Sequence, residues 1–339
     1  MKKDITPAIG IKRFYPLVSE LKKILENIKT EEDVALALYQ SEARKVVFFL
    51  QGLIKIYKKI TNKEVFKHLN NQFKTIEDLL GKIDFYDSNW KEFSETPAFP
   101  TPALNLIKQK YINTLKNLND HLEQENWLKE IDYKFDIIFS DLERIAWPSD
   151  EDDTPMVAKV LSKQTKKIIK KYTIGELDFN QLEAGLQEFR RKIRWFSIQA
   201  QALDGLIQLV DDDFKEALKF YRTSEVLASK FNILPKAKNP ENSIHISQSA
   251  FYALSWLISF TGDLKDKGLK VLFLEEILIE AKLASEKDAF AKAIFYLEKD
   301  ELVLQNIIKE AKFATNQFIY THRVLDILRK DLKMHYIRP

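Results

Sequence analysis

Glu42-Ala43-Arg44-Lys45-Val46-Val47-Phe48-Phe49 and Glu188-Phe189-Arg190-Arg191-Lys192-Ile193-Arg194-Trp195 follow one pattern: acid, any residue, Arg, base, any residue, β-branched apolar, any residue, aromatic. They begin at positions 42 and 188, 146 residues apart, close to half of the 339-residue chain. Each heads a stretch whose apolar residues recur at helical spacing. In the first, Val46, Phe49, Leu50, Leu53, Tyr57 and Ile60 share one helix face, and Val34 and Leu38 extend that face upstream. Thr30 stands where an N-cap would start this helix, with Asp33 in the place of a capping-box acid.

Working outward, the same periodicity covers most of the chain. Leu17, Leu21, Ile24, Leu25 and Ile28 form a stripe over 16–28, and Phe66, Leu69, Phe73, Ile76 and Leu80 form another over 63–83. Helices are expected again over 103–125 and 127–145. After residue 155 they are expected over 156–172, 178–210, 213–231, 246–260, 269–283, 286–297 and 300–332. No segment combines sustained alternation with turn signals on both sides, so no strand is expected. The chain has only 8 glycines, against roughly 24 at average usage, which suits long helices joined by few tight turns.

Two segments punctuate the pattern. Glu95-Thr96-Pro97-Ala98-Phe99-Pro100-Thr101-Pro102 reads as an extended link, because proline removes donors and pushes the preceding residue out of the helical region. Trp147-Pro148-Ser149-Asp150-Glu151-Asp152-Asp153-Thr154-Pro155 reads as a boundary, with Thr154 as N-cap and Pro155 at the first helical position. The expected fold class is all-α: two related antiparallel helical bundles in a pseudo-two-fold arrangement. The first half is 1–147, the acidic proline-bounded linker 148–155, and the second half 156–339.

Here the sequence resembles the CHAD domain, an all-α domain of two helical halves. Each half of that family opens with a helix bearing a histidine followed by closely spaced Arg and Lys, and its basic surface is associated with binding inorganic polyphosphate and similar polyanions. Arg44 and Lys45 in one copy, and Arg190, Arg191 and Arg194 in the other, fall on positions resembling those bases. Leu79-Leu80-Gly81-Lys82, with Asp84 and Asp87, is similar to the Leu-Gly and Asp-rich end of the family's following helix. Ser41 and Gln187 stand where the family has histidines. Phe48, Phe49, Trp195 and Ser197 stand at sites where it has bases.

Charge narrows the function classes. With 53 basic and 50 acidic residues the formal net charge is +3, too balanced for a dedicated duplex-DNA binder, whose affinity comes from neutralising many phosphates. An anion site must then be a local patch. Arg190, Arg191 and Arg194 lie within one helical turn, and guanidinium forks match phosphate oxygens. Lys163, Lys166, Lys167, Lys170 and Lys171 put five ammonium groups on one helix face, away from Val160, Ile168 and Ile169, with no acid between 159 and 171. Five like charges cost helix stability unless something anionic answers them. Lys55, Lys58 and Lys59 are accounted for by the negative C-terminal end of their helix.

Enzyme and metal chemistry find little support. There is no cysteine, no nucleophile-elbow Gly-x-Ser-x-Gly and no glycine-rich phosphate loop. The five histidines are scattered, and the acidic runs 150–153 and 211–213 are contiguous and better suited to helix starts than to Mg²⁺. No metal and no cofactor are expected. No apolar stretch reaches the ~20 residues of a membrane helix, so a soluble, cytoplasmic, non-enzymatic chain is expected. The expected partner is polyphosphate or another polyanion. The alternative is a structural or adapter protein that binds a protein partner and has lost the anion site. Separately, the aromatic residues read as core, with Phe99, Trp147 and Phe251 near loop edges where an aromatic can face a partner.

Overall fold

The computed structural model describes residues 7–61 and 63–337. The fold is all-α. In chain order the helices of the first part are α1 (Ile9–Ile28), α2 (Val34–Gln40), α3 (Ala43–Tyr57), α4 (Lys63–Ser94), α5 (Thr101–Gln124) and α6 (Ile131–Glu143). Then come α7 (Asp150–Thr173), α8 (Glu188–Ala202), α9 (Ser224–Ala228), α10 (Gln248–Glu280), α11 (Ala289–Tyr296), α12 (Val303–Asn316) and α13 (Val324–Met334). Among the described residues, no helix is long and apolar enough to cross a membrane.

Several boundaries differ from the spacing-based expectation, each for a local reason. The cap before α2 is Asp33, which accepts from Leu36 N at 3.0 Å, rather than Thr30. The run from Val34 does not continue unbroken: Ser41 is extended, and its Oγ bonds Leu38 O and Ala43 N, separating α2 from α3. The segment 148–155, read as a boundary, is helical from Asp150 onward. Ser149 caps α7 by accepting from Asp152 N, the acids 150–153 form the first turn, and Pro155 lies inside the helix. Thr154 is not the cap; its hydroxyl donates to Asn242 O. Four acids in a first turn complement the partial positive charge of a helix N-terminus.

The stretch 204–247 departs most. The helix expected over 213–231 is replaced by short 3₁₀ turns and the five-residue α9. Asp212 does not start a helix: its carboxylate accepts from Phe214 N, Ser247 Oγ and Ser249 N, the kind of side-chain bonding that competes with helical backbone bonds. Two short strands, β1 (Ile207–Val210) and β2 (Ile244–Ser247), pair in parallel with Ile207 opposite Ile244. They lie outside the all-helical expectation but are only four residues each.

One buried cluster runs from Ile11 to Leu332 and contains residues from both sides of 148–155. A smaller one joins Phe93, Ala103 and Ile107 to Phe273, Leu274, Ile277 and Leu278. The loop-edge aromatics belong to the packing: Phe251 is fully buried, Phe99 stacks on Phe93 at 4.6 Å, and Trp147 packs with Phe14, Tyr57 and Phe66. At the heart of the large cluster, Arg13 of α1 donates to Asp153 of α7 at 2.6 Å, and Tyr57 of α3 donates to the other carboxylate oxygen at 2.8 Å. Burial works against the Arg13 charge, but Tyr57 and Asp153 outweigh it and raise its pKa.

The two copies of the repeated pattern, α3 and α8, pack on one another. Gly52 lets them approach, since a Cβ there would sit 3.2 Å from Ile198. Gly262 does the same for α8 and α10: it does not break the helix expected to end near 260, and a Cβ would meet the Arg190 guanidinium at 2.8 Å. Arg190 Nε donates to Ile258 O at 2.9 Å.

Candidate anion-binding cleft

α3 buries Val46, Val47, Leu50, Leu53, Ile54 and Tyr57, and α7 buries Val157, Val160, Leu161 and Ile168. With those faces inward, the lysines at the end of α3 and those along α7 are left beside each other, and α8 closes the third side. The result is a cleft of about 230 Å³. Lys55, Lys58 and Lys59 come from α3 and its end, Lys167 and Lys171 from α7, and Lys192 from α8; Gln164, Ile168 and Trp195 complete the lining, which contains no carboxylate.

Two of the six lysines have acids nearby: Lys171 pairs with Glu176 and Lys192 with Glu188. Among the described residues, Lys55, Lys58, Lys59 and Lys167 form no ion pair. Burial, then Lys58, Lys74 and Arg191, push Lys55 down to about 8, against the opposing pull of Glu77. Burial, then Lys58 and Lys167, lower Lys59 as well. The Lys55 ammonium lies 4.3 Å from the centre of the Trp195 ring, a cation–π contact that fixes its position.

Beyond Trp195 lies an arginine cluster. Arg194 sits 4.7 Å and Arg44 5.8 Å from the centre of the Phe48 ring, and Phe48 touches Trp195 edge-on at 6.0 Å. Arg44 is held by Asp84 at 2.6 Å. Arg194 has neither a hydrogen bond nor an ion pair among the described residues. Burial, then Arg190 and Arg44, bring its pKa down to about 10, with Glu77 opposing. A half-buried guanidinium is costly to leave unanswered, so Arg194 is the arginine best placed to take an anion.

The sequence candidates therefore separate. Lys167 and Lys171 line the cleft, and Arg44 and Arg194 flank it around Phe48. Arg190 is turned to the α10 backbone, where burial lowers its pKa. Arg191 and Lys45 are exposed and paired with Glu188 and Glu42. Lys163, Lys166 and Lys170 are exposed on α7 outside the cleft lining. Lys55, Lys58, Lys59, Lys192 and Trp195 were not among the candidates. The signal was present, since 55, 58 and 59 repeat the i, i+3, i+4 spacing of the α7 lysines, but spacing does not say that the two faces meet.

The depressed lysines make stability depend on pH. Between about 8 and the ordinary 10.5 the unfolded chain holds the Lys55 proton more firmly than the folded chain does. Folding stability should rise with pH across that window, and at pH 7 the unfavourable charge is fully present. Lys55→Met is expected to raise the melting temperature at pH 7, with a gain that shrinks towards pH 10. A variant that melts at or below wild type at pH 7, measured by circular dichroism, would contradict this.

Elsewhere, no group of three or more His, Asp or Glu among the described residues is placed to hold a metal ion. No protein family, curated protein or solved structure matches the chain.

Proposed function

We propose that the chain is a non-enzymatic binding module for inorganic polyphosphate or a similar linear polyanion, held across the α3–α7–α8 cleft. The observation that carries this reading is the set of four unpaired lysines around a carboxylate-free cleft, two of them with lowered pKa values. An evenly charged chain of phosphates would relieve that repulsion all along its length. Arg194 and Arg44 extend the basic track past Trp195 and Phe48.

The aromatic rings favour a ligand without bases. Single-strand nucleic-acid sites offer ring faces for stacking, whereas here cations sit over the Trp195 and Phe48 rings. The contact between α3 and α8 supports a CHAD-like pseudo-two-fold arrangement of two helical halves, with the site where the repeated helices meet. The absence of cysteine supports a cytoplasmic setting.

The adapter reading draws on the bases already matched by acids, namely Arg44, Lys45 and Arg191. Titration with long-chain polyphosphate separates the two. Taking about −0.7 per neutralised phosphate for a single strand, four lysines give a slope of about −3 for log affinity against log salt. Absence of binding even at low salt would end the polyanion reading and favour the adapter.

A further inference from the structure

Another cleft lies elsewhere, between α13 and the turn at 213–218. It encloses about 540 Å³, within the usual range of roughly 300–1,000 Å³ for small-molecule sites. We propose that it binds a small organic anion: a carboxylate, phosphate or sulfonate head carried on an apolar body.

The two kinds of wall give the two parts of that ligand. Phe214, Leu218 and Ile327 offer an apolar surface, whereas Arg323, Arg329, Lys330 and Lys333 bring four positive charges to the same cleft. Asp326 is the one carboxylate in the lining. It accepts from Arg323 Nε at 3.2 Å and lies 3.9 Å from Arg329, so a single acid is shared between two arginines. Among the described residues, Lys330 and Lys333 have no ion pair and Arg329 has no hydrogen bond, although only 24% of the Arg329 side chain is exposed. A guanidinium so far withdrawn from water, with one distant partner, has donors available for an anion's oxygens.

The backbone that shapes the cleft is unusual in two further ways. A π-helical turn, Gln317–Thr321, is closed by His322 N bonding Gln317 O at 2.8 Å, and Arg323 follows in the left-handed region at φ 49°. Both features carry strain or rarity and recur at functional sites. Together they end the helical run before α13 and bring Thr321, His322 and Arg323 to the edge of the cleft. The His322 ring is fixed by Tyr221, whose hydroxyl lies 2.7 Å from Nδ1. Four apolar residues line this site, Phe214, Ala217, Leu218 and Ile327, against Ile168 and Trp195 in the lysine cleft, and the inference does not depend on the polyanion reading.

The probe is anilinonaphthalene sulfonate, an aromatic body with an anionic head whose fluorescence rises in an apolar setting. The expected result is one saturable site on the folded protein. Hexyl phosphate should displace the probe at concentrations where inorganic phosphate does not, because only the first can use the apolar wall. Arg329→Ala/Lys333→Ala should weaken binding about tenfold or more, since charge-assisted contacts are lost. Lys330→Ala/Lys333→Ala, which leaves the packed Arg329 in place, should weaken it in the same direction. Lys55→Gln/Lys59→Gln/Lys167→Gln should leave it unchanged. The proposal is overturned by the absence of a saturable site, by equal displacement with inorganic phosphate, by indifference to the α13 substitutions, or by loss of binding in the lysine-cleft variant.

Discussion

Replacing Asp153 with alanine is expected to destabilise the fold by about 3–5 kcal/mol, the cost of breaking a buried ion pair and leaving one charge without a partner. Asp153 is fully buried, Arg13 is 6% exposed, and Tyr57 is fully buried between them. The alanine would strand the Arg13 guanidinium and the Tyr57 hydroxyl at once, in the middle of the packing of α1, α3 and α7. Urea denaturation measures the loss. Glu151→Ala, one turn face away and exposed, serves as the control and should stay within about 0.5 kcal/mol of wild type. The triple replacement Arg13→Met/Tyr57→Phe/Asp153→Leu should recover much of the loss, because exchanging a whole buried polar network for apolar groups is often close to neutral. A loss under about 1 kcal/mol for Asp153→Ala would mean that the triad does not hold the helices together.

Asp153 also illustrates what the sequence could and could not say. It belongs to an acidic run that reads as a solvated boundary, and three of its four acids do lie on the surface of the first turn of α7. The fourth is the most deeply buried charge among the described residues because α7 lies against α1 and α3, a tertiary fact with no local signature. The helices themselves were legible, since apolar spacing at threes and fours states which face is buried. Val18, Leu21, Leu25 and Ile28 are buried in α1 much as that stripe implies, with Val18 taking the place given to Leu17.

Where short polar residues compete for backbone bonds, the spacing misled. Ser41 split one expected helix into two, and Asp212 organised a non-helical stretch between α8 and α10. Conversely, Gly262 and Gly268 lie inside α10, which runs through a region expected to separate two helices.

The binding cleft was half legible. The α7 lysine stripe was visible as a set of charges with no neighbouring acid, and two of its members reach the cleft. The Arg190–Arg191–Arg194 triplet looked like one site, but the helix sends its members to three different environments. Residues at i and i+1 point about 100° apart on a helix, so a dense run of bases need not act together. In sequence, the helix C-terminus is a sufficient local reason for the α3 lysines. Their meeting with α7 follows only from the packing.

Binding of a polyanion where the α3 and α7 lysines meet is tested most directly by substitution within the polyphosphate titration. Lys55→Gln/Lys59→Gln/Lys167→Gln removes three unpaired charges from one cleft. At low salt the affinity should fall roughly a hundredfold, taking about 1 kcal/mol for each lost lysine–phosphate contact. Lys45→Gln/Arg191→Gln removes two exposed, acid-paired charges and should change affinity by no more than about threefold. The triple variant should also melt no lower than wild type at pH 7, because it removes charges that burial, and then repulsion between lysines, disfavours at Lys55 and Lys59. Weak binding could then not be attributed to unfolding. Equal losses in the two variants, or a larger loss from Lys45 and Arg191, would contradict the account and place the binding surface outside the cleft.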